Sequence, residues 1–326
     1  MTPPWPALVL TAGLGTRLRP LTYVRAKPAV PVAGETLVRR IIRWLHAHGV
    51  RNVVLNLHYR PETIAAVVGD GGDLRVRVRY SWENPILGSA GGPARALPLL
   101  DADRFFLING DTLSDVDLGA LARQHAGSGA RVTMALTPNP DPGRYGGVGV
   151  DQAGRVTGFT RPDPRSPSHH FIGIQAVEAS VFAALDPTRP AQTVTGVYPA
   201  LIAAEPDSVR AFVCGAAFHD IGTPADYLAT SLTFARAEGH ETLPVGRRTS
   251  IDSSAHIERT ALWDDVVVEA GSQLVECVVA DGVRVPAGCR FERRAIIPAT
   301  GRTPAAGETI LGNLLIAPLD GIRREG

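Results

Sequence analysis

Of the 33 Lys and Arg residues in this chain one is a lysine, Lys27. A compact ammonium and a planar guanidinium fork bind different things, so a single retained lysine among arginines marks a position that needs a point charge, unless one codon survived by chance. Ten residues earlier Arg17 closes the run Ala12-Gly13-Leu14-Gly15-Thr16-Arg17, directly after the apolar stretch Ala7 to Thr11, which predicts a short buried strand. A glycine-rich turn at the end of a first strand serves three chemistries, and spacing separates them. A dinucleotide fingerprint needs a third glycine where Leu18 stands, and a P-loop closes on Gly-Lys-Ser/Thr where this chain has Gly15-Thr16-Arg17. What is left is a loop whose backbone N–H groups cradle phosphates, with one guanidinium and one ammonium suited to a polyphosphate.

The run from Ala12 to Thr22, followed by Ala26-Lys27-Pro28 and Pro31-Val32, resembles the signature of the sugar-1-phosphate nucleotidyltransferases, also called nucleotide-sugar pyrophosphorylases. The likeness is to bacterial members of the mannose-1-phosphate guanylyltransferase type above all, and it extends over about residues 7 to 235. Leu87-Gly88-Ser89-Ala90-Gly91 resembles the family's second glycine loop, which packs against base and ribose. Asn109-Gly110-Asp111 resembles the strand-end motif whose aspartate binds the catalytic magnesium, and Asp220-Ile221-Gly222-Thr223 the segment supplying a second aspartate.

The resemblance implies the roles. Arg17, Lys27 and Asp111 are the expected catalytic residues, and Ala12, Gly13, Gly15, Thr16, Gly88 and Ser89 join Arg17 and Lys27 around the nucleotide. Asp111 and Asp220 are expected to hold Mg²⁺, and Gly146, Thr160, Arg161 and Gly173 to hold the sugar phosphate. The implied reaction is in-line attack of a sugar 1-phosphate, mannose 1-phosphate or a related one, on the α-phosphorus of a nucleoside triphosphate, GTP favoured, with pyrophosphate leaving. The sugar side departs from the pattern. Thr160-Arg161-Pro162 stands where the family has Glu-Lys-Pro, so the carboxylate for sugar hydroxyls is missing while Arg161 takes the lysine's place.

Plainer readings stand beside these. Asp111 at a strand end serves equally as a turn residue, Asp115 and Asp117 precede the helix expected at Leu118 to Gln124 as caps, and Thr223 is better placed than Asp220 to cap the next helix. His169 and His170 have no third ligand at a metal spacing and read as solvated or pocket-lining. Three other functions stay open: uridylyl or thymidylyl transfer to another sugar 1-phosphate, a catalytically reduced regulatory member, and a glycosyltransferase consuming the nucleotide sugar. Pyrophosphate, free nucleoside diphosphate or no product separates transfer, glycosyl transfer and the regulatory reading.

The elements that must position these residues alternate. Helical spacing covers Leu37 to His48, Pro61 to Val68 and Gly92 to Leu100, with strands at Val53 to Leu57, Leu74 to Tyr80 and Arg104 to Ile108. Strand and helix in alternation predict an α/β fold, a Rossmann-like, mostly parallel sheet flanked by helices, here the nucleotidyltransferase fold. From about Gly129 to Phe218 short strands mix with Pro- and Gly-rich loops, as in an insertion around a pocket. Residues 1–238 are expected to form the catalytic domain and 239–248 a linker. From Ile251 an apolar residue recurs about every six, with a small or apolar residue four later, as in Ile251/Ala255, Ile257/Ala261 and Val285/Cys289, and the register slips twice. This predicts a short left-handed parallel β-helix over 249–326, serving assembly of a homo-oligomer.

Bulk properties agree. A net charge of +1 over 326 residues gives no basic field for wrapping duplex nucleic acid, and no apolar run is long enough for a membrane helix. Pro3, Pro4 and Pro6 with no cationic start give no export signal, and three unevenly spaced cysteines suit a reducing cytoplasm.

Overall fold

A computed structural model describes residues 5–320; Pro3 and Pro4 lie outside them. By its contacts the chain falls into two compact units, one of Met1–Gly13 with Val38–His219, the other of Leu14–Leu37 with Asp220–Gly326.

The first unit is built on a nine-stranded sheet. Its parallel half comprises β1 (Ala7–Leu10), β2 (Asn52–Leu57), β3 (Arg77–Trp82) and β4 (Arg104–Asn109), with β1 between β4 and β2 and β3 at the edge. Strands covered on both faces read as continuous apolar runs, and Leu8, Val54, Phe105 and Leu107 are fully buried. The crossovers carry α1 (Leu37–Ala47), α2 (Pro61–Val68) and α3 (Gly88–Leu100), and α4 (Leu118–Ser128) follows β4. The chain leaves β1 toward one side and later returns to its other side as β4. Their carboxyl ends therefore form the switch point where open α/β sheets bind ligands.

Helix α3 starts at Gly88, four residues before the helical spacing suggests, and β3 starts at Arg77, because a tight turn at Gly72–Leu74 and a left-handed Arg75 precede it. The middle of the chain continues this same sheet. Added to it are β5 (Val132–Pro138), β6 (Gly147–Val150), β7 (Val156–Thr160), β8 (His169–Glu178) and β9 (Val209–Val213). Here β8 runs antiparallel to β4, β5 and β6, and β7 antiparallel to β6, while β9 runs parallel to β5. Of the two acidic residues expected as caps of α4, Asp117 accepts from Ala120 N at 3.0 Å, but Asp115 accepts from Ala217 N at 2.7 Å and so anchors a distant loop.

The second unit contains α5 (Pro224–Ala237) and the hexad region. No helix or strand lies between Ala237 and Ser250. From there three faces of short parallel strands stack: Ser250–Ile251 on Val267–Val268 on Arg284–Val285, His256–Glu258 on Gln273–Val275 on Arg290–Glu292, and Ala261–Leu262 on Val278–Val279 on the strand Arg294–Pro298. Paired residues are 17 apart on every face, which makes each coil two six-residue sides and one of five. That shortened side is the register slip of the sequence. Leu262, Val268, Leu274, Val279, Val285 and Ile296 point into one apolar core. The third face ends in the antiparallel strands Leu314–Pro318 and Thr309–Leu311.

Candidate active site

In the first unit β1 and β4 pair in register through Leu10 and Asn109, and Gly110 N donates to Leu10 O at 3.0 Å. A Cβ on Gly110 would stand 2.4 Å from that carbonyl, so only glycine lets the motif fold against β1 and carry Asp111 to the switch point. The start of the first glycine loop is held from below. Thr11 N donates to Asn56 Oδ1 at 2.6 Å, and Thr11 Oγ1 donates to the Asn56 carbonyl. Asn56 Nδ2 in turn donates to Glu83 Oε1 at 2.7 Å, and the other carboxylate oxygen accepts from Leu87 N at 2.8 Å. Thr11, Asn56 and Glu83 are all buried. This chain of bonds ties the first glycine loop to the second. Sequence reasoning missed Asn56 and Glu83; the legible signal was an asparagine inside the apolar strand Val53 to Leu57.

The second loop is the N-terminus of α3. Gly88 has φ +74, and a Cβ there would meet Gln192 and the Ala191 carbonyl within 2.7 Å. Ser89 Oγ donates to Gln192 Oε1 at 3.0 Å and accepts from Thr193 N at 2.9 Å, while Ala90 N donates to Ala191 O at 2.9 Å. With these amides occupied, the helix start presents less of an open anion cradle than an ordinary N-terminus does.

Farther along the same sheet, Gly146 and Gly147 lie against Thr160. A Cβ on Gly146 would stand 2.9 Å from the Thr160 carbonyl, and one on Gly147 2.5 Å from its Oγ1. Gly173, with φ +78, sits at a bulge in β8 where a Cβ would meet Asn109 at 2.8 Å, so it adjoins the strand-end motif. Arg161 is exposed one residue beyond β7. His170, expected as solvated or pocket-lining, is buried, with its ring 4.5 Å from Tyr145 and 4.6 Å from Phe218. The Pro-rich loops 138–145 and 161–168 are tied together, since Asn139 Nδ2 donates to Ser168 Oγ at 3.1 Å.

The second unit holds Arg17 and Lys27. Gly15 has φ +59, and a Cβ there would stand 2.8 Å from Thr22 Cγ2 and 3.2 Å from Lys27 Cβ; Thr22 Oγ1 donates to Gly15 O at 3.0 Å. The turn is thus packed onto the stem of Lys27, which is buried. Thr16 and Arg17 follow on an exposed turn, and Arg17 Nη1 reaches Asp220 Oδ2 at 3.5 Å. Gly222 permits that approach: a Cβ on it would meet Arg17 Nη1 at 2.8 Å and the Asp220 and Asp226 carboxylates at 3.0 Å. Thr223 and Asp226 form a reciprocal capping box on α5, at 3.1 and 3.0 Å, so Asp220 is not the cap.

In the first unit, then, Gly110 and Gly173 converge on Asn109, and Gly146 meets Thr160; Ala12 is buried beside an exposed Gly13. In the second, Gly15, Arg17, Lys27 and Asp220 share one neighbourhood. Among the described residues no three His, Cys, Asp or Glu side chains are placed to hold a metal ion, and no helix is long and apolar enough to cross a membrane.

Comparison with known proteins agrees. Residues 6–236 match the family described as Nucleotidyl transferase. The mannose-1-phosphate guanylyltransferase of Mycobacterium tuberculosis is 32% identical over 88% of this chain and 83% of its own. Mannose-1-phosphate guanylyltransferase 1 of Arabidopsis thaliana is 32% identical over 86% and 82%. Among solved structures, HddC from Yersinia pseudotuberculosis complexed with GMP-PN superposes with a TM-score of 0.60 at 23% identity, covering 71% of this chain and 99% of that one, a likeness of fold. Match, relatives and glycine-bound strand ends point the same way, and the chain belongs to the nucleotidyl transferase family.

Proposed function

We propose that this chain transfers the guanylyl group of GTP to mannose 1-phosphate or a related sugar 1-phosphate, giving a nucleotide sugar and pyrophosphate. The observation that carries the reading is the sole lysine, buried against a left-handed glycine turn whose next residues bring Arg17 to Asp220. Guanine and mannose come from the names of its relatives and from the GMP-PN bound by HddC.

A sugar-phosphate oxygen attacks the α-phosphorus in line; the new P–O bond forms as the bond to the β-phosphate breaks, and pyrophosphate leaves with that electron pair. Two anions must meet, so position and charge do most of the work. The amides of Ala12, Gly13, Gly15 and Thr16 take the triphosphate with Arg17, and Lys27 answers charge near the transferred phosphorus. Gly88 and Ser89 border base and ribose. Gly146, Thr160 and Gly173 face the sugar, and Arg161 its phosphate. Exchanging Asp220 for phosphate costs Arg17 little, because its own guanidinium is exposed and the contact with Asp220 is long, 3.5 Å.

Asp111 and Asp220 are the carboxylates assigned to Mg²⁺. Each would offer a hard oxygen donor suited to that ion, which would draw charge off the phosphoryl oxygens. The three cysteines are free, which suits the cytoplasm, and the proposed partners are the two substrates and further copies of the chain. The test is a matrix of nucleoside triphosphates against sugar 1-phosphates, read by pyrophosphate release, with GTP and mannose 1-phosphate or a close relative giving the highest kcat/KM.

A further inference from the structure

In the second unit Lys27 sits on a short turn, Lys27–Ala29, between two points tied to the C-terminal coil. The first is Arg25. Its Nε and Nη2 donate to the two oxygens of Asp281 at 2.6 and 2.7 Å, and Nη2 also reaches Asp264 Oδ2 at 2.8 Å, while the guanidinium lies 5.6 Å from the Trp263 ring. The Arg25 side chain is 13% exposed, Asp264 16% and Asp281 25%. The second point is Pro31. Its carbonyl accepts from Tyr227 OH at 2.5 Å, and that hydroxyl accepts from Trp263 Nε1 at 2.8 Å; Tyr227 and Trp263 are buried.

The coil repeat explains why the first tie suits a fork. Asp264 and Asp281 are 17 residues apart, the length of one coil, so they stand at the same corner of successive coils. Neighbouring strands are separated by about 4.8 Å, which sets two carboxylates close enough to repel unless a cation lies between them. A planar guanidinium bridges that spacing and an ammonium does not.

We infer that the coil positions the phosphate-binding lysine: Arg25, Asp264, Asp281, Tyr227 and Trp263 clamp residues 25 and 31 and thereby fix Lys27 between them. They are positioning residues for the proposed reaction, and this inference rests on that reading for its catalytic consequence. The coil then acts inside each chain, whatever it does between chains.

Because Lys27 is the sole lysine, its reactivity reads the clamp without reference to turnover. An amine-reactive acylating reagent modifies Lys27 and the chain's α-amino group, and the two are resolved by peptide mass spectrometry. In the full-length protein, Asp281→Asn and Arg25→Gln, neither of which adds an amine, should each raise the rate of Lys27 acylation about tenfold while the α-amino rate stays constant. Both should lower kcat at least tenfold with KM for the nucleotide within about threefold. Asp265→Asn breaks the exposed Arg248 pair on the same coil and should change neither. Arg25→Gln removes the fork without adding an amine and carries the test if Asp281→Asn does not fold. Unchanged Lys27 acylation in a folded Arg25→Gln or Asp281→Asn chain overturns the clamp. Increased acylation with kcat unaltered overturns its catalytic consequence. If the unaltered chain transfers no nucleotide in the substrate matrix, the proposed function fails while the acylation rates still decide the clamp.

Discussion

At the residue scale the distinctive feature is one ammonium in a chain of arginines, buried against a glycine whose backbone no other residue adopts without strain. A guanidinium cannot take a compact point-charge position between phosphates, so Lys27→Arg should lower kcat/KM at least about 100-fold while circular dichroism and melting stay near those of the parent. Turnover within threefold would show that any cation suffices there. Asp111→Asn should cost at least as much, because an amide is a poor ligand for a hard ion, and added Mg²⁺ should restore only part of the rate. The candidate residues could be picked out from the sequence, since glycines and charges at fixed spacing stand out against their neighbours. Asn56 and Glu83 were not, because their partners lie 27 residues apart along the chain.

At the element scale, how much could be read depended on whether neighbours in sequence or in space fix the element. Pro61–Val68 is a helix over the residues its pattern indicates. Helix α3 hid its first turn, since Gly88, Ser89, Ala90 and Gly91 include poor helix formers, and the amides there find their partners in Ala191 and Gln192, a hundred residues later. The coil was visible as hexads, but its five-residue side appears only once strands stack 17 apart. Two tests belong here. Glu83→Gln leaves an N–H group facing Leu87 N, an unsatisfied buried donor costing about 1–3 kcal/mol, and should raise KM for the nucleotide more than it lowers kcat. His125, packed in α4 against Thr133, has its pKa pushed down to about 4 by burial, with Glu178 pulling it up and Arg104 pushing it down. An unfolded histidine takes its proton near 6.5, so between those values the unfolded chain binds more protons and stability falls as pH drops from 6.5 to 4, by about 3 kcal/mol. Denaturant unfolding across that range should show a steeper loss for the parent than for His125→Gln, and equal slopes would contradict it.

At the scale of the whole molecule, the alternation of strand and helix gave the parallel half of the sheet, but not that the middle of the chain would extend that sheet with antiparallel strands. Nor does a linear reading show that Leu14–Leu37, which carries Arg17 and Lys27, belongs to the same compact unit as the C-terminal coil. Only long-range ties such as Arg25 to Asp281 reveal that grouping. The central claim is nucleotidyl transfer, and the most direct measurement follows products of the full-length chain given GTP, mannose 1-phosphate and Mg²⁺. Pyrophosphate and a guanosine-diphosphate sugar are expected in equal amounts, with formation reversed by added pyrophosphate. Release of free nucleoside diphosphate, or no product with any pair of nucleoside triphosphate and sugar 1-phosphate, would contradict it.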